Sequence, residues 1–169
     1  SSGEILKRIF AKKEELIIFD IGAHIGESAK IYRKFFQNSK IYSFEPSPKA
    51  YKTLKDLNIK SFKPLNFGFS NKKSLEKFSV NYKSSTNSLL QFSKDAKKNW
   101  RIDSLNNLDT ISCYFDTIDN FCIEENLNFI DFMKIDVQGA EYLVLEGAKN
   151  TLLNKKIKVI QLEIIIGNT

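Results

Sequence analysis

The stretch Leu16-Ile-Ile-Phe-Asp-Ile-Gly-Ala-His-Ile-Gly26 is an apolar run that stops at an acid, Asp20, and opens at once into a loop punctuated by Gly22 and Gly26. Such a pattern predicts a buried strand feeding a strand-to-helix turn at a nucleotide site. A second short run, Ile41-Tyr-Ser-Phe-Glu45, also ends in a carboxylate. In open α/β sheets an acid about 20 residues past the glycine turn binds ribose hydroxyls. Together the two runs predict a site for an adenosine-containing ligand, with Gly22, Ala23, His24 and Gly26 in its first loop.

Charge narrows the choice of ligand. A dinucleotide places its pyrophosphate over the first turn and calls for G-x-G-x-x-G, so that backbone N–H groups meet the anion. Here the spacing is G-x-x-x-G, and Asp20 stands two residues before the first glycine. An acid there repels phosphate and suits a ligand that is positively charged and phosphate-free, as S-adenosylmethionine is. A nicotinamide-dependent oxidoreductase is disfavoured on the same grounds. The plainer alternative is that Asp20 and the glycines only shape a tight turn.

At 169 residues with 42% hydrophobic content, the chain is expected to form a single domain over residues 1–169, with a lead-in over 1–15. It contains no run of 18 apolar residues and no charged-then-apolar leader, which predicts a soluble domain without a membrane span or signal peptide. Cys113 and Cys122 match neither a metal cluster nor a disulfide framework; they predict reduced packing residues, a cytoplasmic setting and no metal site. The net charge is +6. Its lysines fall in scattered pairs such as Lys12/Lys13 and Lys97/Lys98, without an arginine-rich tract, which argues against a nucleic-acid partner. A positive field of this kind could attract an anionic acceptor.

Coarse periodicity gives the remaining organisation. Residues 27–36 carry Ala29, Tyr32, Phe35 and Phe36 at helical spacing. Ser47 and Pro48 announce a second helix with Ala50, Tyr51, Leu54 and Leu57 on one face. A third strand is predicted over 59–66, ending at Asn66-Phe67-Gly68, where Asn66 could reach adenine and Phe67 lie against it, or where the chain merely turns. Residues 70–110 form an irregular insertion, with short runs at 75–82 and 88–92 predicting hairpin strands and a lid, to which Asn87, Ser88 and Trp100 could contribute. Order returns at Ile111–Phe115, with Asp116 predicted to cap a helix. Asn128–Asp136 is a further strand, followed by a helix through Leu153 and a last apolar run, 157–166. Strands alternating with helices call for a mostly parallel sheet covered on both faces. Lys134 and Asp136 share one face of a strand that should be all apolar, so they are a site candidate or an ion pair tying strand to helix.

Four blocks, Phe19-Asp-Ile-Gly-Ala-His-Ile-Gly-Glu-Ser28, Tyr42-Ser-Phe-Glu-Pro-Ser-Pro48, Phe115-Asp-Thr-Ile-Asp-Asn-Phe121 and Met133-Lys-Ile-Asp-Val-Gln-Gly-Ala-Glu-Tyr-Leu-Val-Leu-Glu-Gly-Ala148, resemble the FkbM family of S-adenosylmethionine-dependent methyltransferases. The resemblance spans residues 16–166. It implies a Rossmann-like class I methyltransferase sheet and methyl transfer to a hydroxyl of a sugar, glycan or related small molecule. Where the family usually has Asp-Val-Glu-Gly, this chain has Asp136-Val-Gln-Gly139, losing a carboxylate. The chain also stops after the fifth main strand, short of the strand pair that completes such a sheet. These departures keep open a catalytically weak or inactive binding domain.

On this reading Asp20 holds the methionyl ammonium, Glu45 and the adjoining Pro46 the ribose side, and Asn66 or Phe67 the adenine. Asp136, ending a central strand, is the first choice of general base and Glu141 the second, with Lys134 holding Asp136 in place. DNA amino-methylation is disfavoured, because none of Pro46, Pro48 and Pro64 lies after the fourth strand. Acceptor identity and oligomeric state have no sequence signal.

Overall fold

The apolar runs form parallel strands: β1 (Ile17–Ile21), β2 (Lys40–Phe44), β3 (Phe62–Leu65), β7 (Ile130–Ile135) and β8 (Ile157–Leu162) make one sheet in the order β3-β2-β1-β7-β8. The structure, a computed structural model, describes residues 2–13, 15–80 and 109–163. Alternation along the strands sorts side chains to two faces. Ile18, Ile41 and Phe132 pack with Leu6 and Phe10 and with Ala29, Tyr32 and Phe36, beneath helices α1 (Ser2–Ile9) and α2 (Glu27–Phe35). Phe19, Ile21, Tyr42, Phe44, Met133 and Ile135 face the other way, onto α4 (Ile118–Glu124) and α5 (Glu141–Glu146). Aromatic rings dominate that second core: Phe44 lies 4.5 Å from Phe69 and 5.1 Å from Phe121, centroid to centroid. Full burial of each such ring contributes roughly 1.5–3 kcal/mol. The α/β sheet with helices on both faces is as the sequence predicts.

Helix α3 (Pro48–Lys55) starts with Pro48 at its first turn, and Ala50 and Leu54 are buried. β3 is shorter than the predicted 59–66. Ile59 is still in a turn, its N–H bonded to the Leu57 carbonyl, and Ser61 has φ +50°.

A second sheet was not anticipated. β4 (Gly68–Phe69), β5 (Ser74–Val80) and β6 (Asp109–Asp116) are ordered β4-β6-β5, with β5 antiparallel to β6 from Ser74 opposite Phe115 to Val80 opposite Asp109. The run at 75–82 is thus a strand, but the partner identified is β6. The run at 88–92, Asn87, Ser88 and Trp100 lie outside the described residues, as does the end of the last run beyond Glu163.

Two helix boundaries differ from expectation. The cap of α4 is Thr117, whose hydroxyl accepts from Asn120 N at 3.0 Å; Asp116 instead accepts from Thr117 N at 2.7 Å. The predicted single helix through Leu153 is broken into α5 and α6 (Lys149–Leu153). At the break Gly147 approaches the Ser70 carbonyl so closely that a Cβ would stand 2.1 Å from its oxygen. Asp119 caps the second piece, accepting from Asn150 N and Thr151 N, both at 2.8 Å, and from Thr151 Oγ1 at 2.6 Å. Asp119→Ala is therefore expected to destabilise the domain by about 1–2 kcal/mol, read as a lower urea midpoint with an unchanged slope.

Candidate functional site

Strand order reverses on either side of β1: β2 and β3 continue one way, β7 and β8 the other. The crevice outside the carboxyl ends of such strands is where open α/β sheets bind ligands. Every strand flanking it ends in or beside an acid. Asp20 and Glu45 come from β1 and β2, Asp136 follows β7, and Glu163 follows β8.

The first loop is fixed by its backbone. Gly22 N and Ala23 N both donate to the Phe44 carbonyl at 3.0 Å. Gly22 has φ +79°, and a Cβ there would stand 1.9 Å from the Asp136 carbonyl oxygen, so only glycine lets β1 and β7 come this close. His24, at φ +49°, donates its backbone N–H to Glu45 Oε2 at 2.9 Å, and Ser47 N donates to Glu45 Oε1 at 2.8 Å. Ser47 thus begins α3 by backbone position, without a side-chain cap. Gly26, at φ +83°, begins α2.

Asp20 lies under this loop, fully buried. Its Oδ2 accepts from Ser43 Oγ at 3.4 Å, its Oδ1 has no hydrogen-bond partner, and Lys134 Nζ stands 4.0 Å from Oδ1. Burial pushes the Asp20 carboxyl up to about 6, opposed by the Lys134 charge and the Ser43 hydroxyl. Burial likewise pushes Glu45 up to about 7, against the two amides that donate to it, with the Asp20 charge adding to the rise.

Across the crevice Lys134 Nζ donates to Asp136 Oδ2 at 2.9 Å, and Gln138 Nε2 donates to Asp136 Oδ1 at 2.8 Å. The lysine therefore bridges the acids of two neighbouring strands, and the departure at Gln138 supplies a donor that a glutamate could not. Glu141 is turned elsewhere: its Oε1 accepts from Val137 N and Gly139 N, both at 3.1 Å, bracing the turn that precedes its own helix. Asn66 Nδ2 is committed to the carbonyls of Glu45 and Pro46, at 2.9 and 3.2 Å. Phe67 packs its ring 5.5 Å from both Phe44 and Phe69. Pro46 O also receives the Cys113 Sγ–H at 3.1 Å, which links β6 to the loop.

Asp20, Glu45, Lys134 and Asp136 are thus brought to one sheet edge. Ser43, Gln138 and Glu163 were missed. The signal for Glu163 was available, since the run 157–162 ends in an acid as the earlier strands do; Gln138 stood out only as a lost carboxylate, not as a donor to Asp136, and Ser43 had no signal. The edge holds more acid than base although the chain carries +6, so its local field favours a cation. Among the described residues, no group of three or more His, Cys, Asp or Glu side chains is placed to hold a metal ion, and no helix is long and apolar enough to cross a membrane.

The fold has a counterpart among solved structures. A crystal structure of methyltransferase FkbM from Methylobacillus flagellatus KT superposes on 87% of this chain with a TM-score of 0.56 at 18% identity, a likeness of fold. The alignment takes in 32% of that protein, so the chain spans about a third of its length. No curated protein is significantly similar to the chain. Residues 20–165, from the acid of β1 to just beyond the acid after β8, match the methyltransferase FkbM domain; the chain belongs to the FkbM methyltransferase family.

Proposed function

We propose that this domain is an S-adenosylmethionine-dependent O-methyltransferase acting on a hydroxyl of a sugar, glycan or related small molecule. The observation that carries the cofactor assignment is Asp20 Oδ1, a buried acceptor without a hydrogen-bond partner beneath the crevice. A buried carboxylate oxygen without a hydrogen bond, faced by the Lys134 ammonium only at 4.0 Å, is costly, and a further cation placed above it offsets that cost. Bound there, S-adenosylmethionine would supply an electrophilic methyl carbon on a sulfonium.

The chain's own groups then have separate tasks. Asp20 is wholly buried, so it attracts the methionyl ammonium by charge and through a bridging water. Glu45, held by His24 N and Ser47 N, keeps a second lone pair on each oxygen for ribose hydroxyls. Asn66 fixes the Glu45-Pro46 backbone on the adenine side, where Phe67 flanks it. Asp136 accepts the proton of the acceptor hydroxyl, oriented by Lys134 and Gln138, while the crevice aligns acceptor oxygen, methyl and sulfur. Glu141 supports the turn beside Asp136. No nucleic-acid partner is assigned, and the buried free thiols Cys113 and Cys122 suit a reducing cytoplasm.

Calorimetric titration with S-adenosylmethionine, S-adenosylhomocysteine and NAD tests the proposal. Saturable binding of the first two and no heat from NAD is expected, with Glu45→Ala weakening both by roughly tenfold or more. A folded sample that takes up none of the three would sink it. Binding without methyl transfer to any sugar or glycan would favour a binding domain, a second reading motivated by Gln138 and Lys134 occupying both Asp136 oxygens.

A further inference from the structure

The elbow between α5 and α6, together with the loop after β4, forms an open groove of ≈ 700 Å³. Two of its large side chains, Tyr142 and Leu153, are 68% and 71% exposed. Tyr142 and Glu146 lie one turn apart on one face of α5, and Tyr142 Oη donates to Glu146 Oε1 at 2.7 Å. Asn71 Nδ2, from the loop after β4, donates to Glu146 Oε2 at 3.1 Å. That loop is pinned to the elbow, because the Ser70 carbonyl meets Gly147 with no room for a side chain. The Glu146 carboxylate is thus held by groups from two elements, and each oxygen keeps a lone pair for a further donor. Lys149 lines the same groove and offsets its charge. In a chain of +6, the groove as a whole is neutral.

We propose that this groove is a binding site for a neutral glycan and holds the sugar units next to the one that is methylated. The second half of the proposal rests on the methyltransferase reading above. A sugar ring has an apolar C–H face and a rim of hydroxyls. The Tyr142 ring, negative over its face, accepts the C–H groups, while the hydroxyls donate to Glu146 and accept from Lys149. Leu152 and Leu153 supply an apolar wall, and a groove of this size and mixed lining suits a small ligand. A phosphorylated or carboxylated sugar is disfavoured here, since Glu146 opposes its charge. The groove is continuous with the crevice through α5: Glu141, the residue before Tyr142, braces the turn that follows Asp136. A glycan lying along the helix can therefore present its end unit to Asp136.

Amide-resolved NMR of the full chain, titrated with the linear trisaccharides of glucose, mannose and N-acetylglucosamine, tests this. At least one of the sugars should move the amides of Asn71, Tyr142, Glu146 and Lys149 in a saturable way. Tyr142→Ala, at an exposed position that leaves folding intact, should weaken that binding roughly tenfold. Tyr142→Phe keeps the ring and should weaken it much less, and Tyr114→Ala, which removes an equally exposed tyrosine from the second sheet, not at all. Groove amides unmoved by all three sugars would overturn the proposal, as would shifts that follow protein concentration instead of sugar, the mark of a second copy seated there. Calorimetry with S-adenosylmethionine on the same samples separates the two failures. Cofactor binding with an unresponsive groove refutes only the glycan site, whereas sugar binding in a chain that takes up no cofactor refutes the methyltransferase reading and the acceptor role with it.

Discussion

Gly22→Ala is expected to destabilise the domain by about 3–5 kcal/mol, lowering its melting temperature by roughly 10 °C. Two causes add. At φ +79° an alanine is strained, and its Cβ would meet backbone, 1.9 Å from the Asp136 oxygen and 2.9 Å from the carbonyl carbon. Backbone cannot rotate out of the way as a side chain can. Relief requires parting β1 from β7, and the bond from Asp136 N to the Ile21 carbonyl, at 3.0 Å, resists that. Gly26→Ala is the control. Its φ is +83°, but the new methyl would meet the ends of the Leu57 and Leu54 side chains, so a cost of about 1–2 kcal/mol is expected. Equal losses in the two variants, measured by calorimetric melting, would refute the backbone-contact explanation.

Asp20→Asn should make the domain more stable and worse at binding. The Asp20 carboxyl is raised from 3.8 to about 6 in the folded state. A raised acid contributes stability that is fully present below its unfolded value and is lost as pH rises through the folded one. Above about pH 6 the wild type therefore bears a penalty on the order of 2–3 kcal/mol, which the neutral amide of similar shape escapes. The stability gained by the variant should appear between about pH 4 and pH 6 and persist above it. Affinity for S-adenosylmethionine should fall at least tenfold at neutral pH, and the proton release expected when the wild type binds near pH 6 should vanish. A variant no more stable at pH 7.5 than at pH 4, relative to wild type, would refute the assigned burial penalty. Natural proteins keep such strained charges where function needs them.

The sheet and its carboxyl edge were legible because their signals are local. An apolar run followed by an acid and a glycine loop reports β1 and its turn without knowledge of the rest, and Lys134 with Asp136 stood out against an apolar strand. What escaped depends on contacts distant in sequence. Gly147 ends α5 because Ser70 lies against it, and Asp119 caps a helix some thirty residues further on. The antiparallel pairing of β5 with β6 leaves no periodic trace that distinguishes it from pairing within the main sheet. At the site, residue types were visible but their engagements were not. Asn66 looked free to meet a base, whereas its amide is given to the Glu45 and Pro46 carbonyls, and Glu141 looked like a base while its carboxylate serves two backbone amides.

The reversal of strand order has a kinetic side. β1, β2 and β3 lie close in sequence, but β1 meets β7 only by pairing Ile18 with Phe132, a long loop closure of the kind that slows folding. Asp20 and Glu45 are on the early side of that closure, Lys134, Asp136 and Glu163 on the late side. Until the central pair of strands zips, Asp20 lacks Lys134 beside it and the two early acids have no opposing wall, so a partly folded chain cannot hold the ligand. Ligand uptake during refolding should consequently follow the last structural phase, making it a reporter of completed folding.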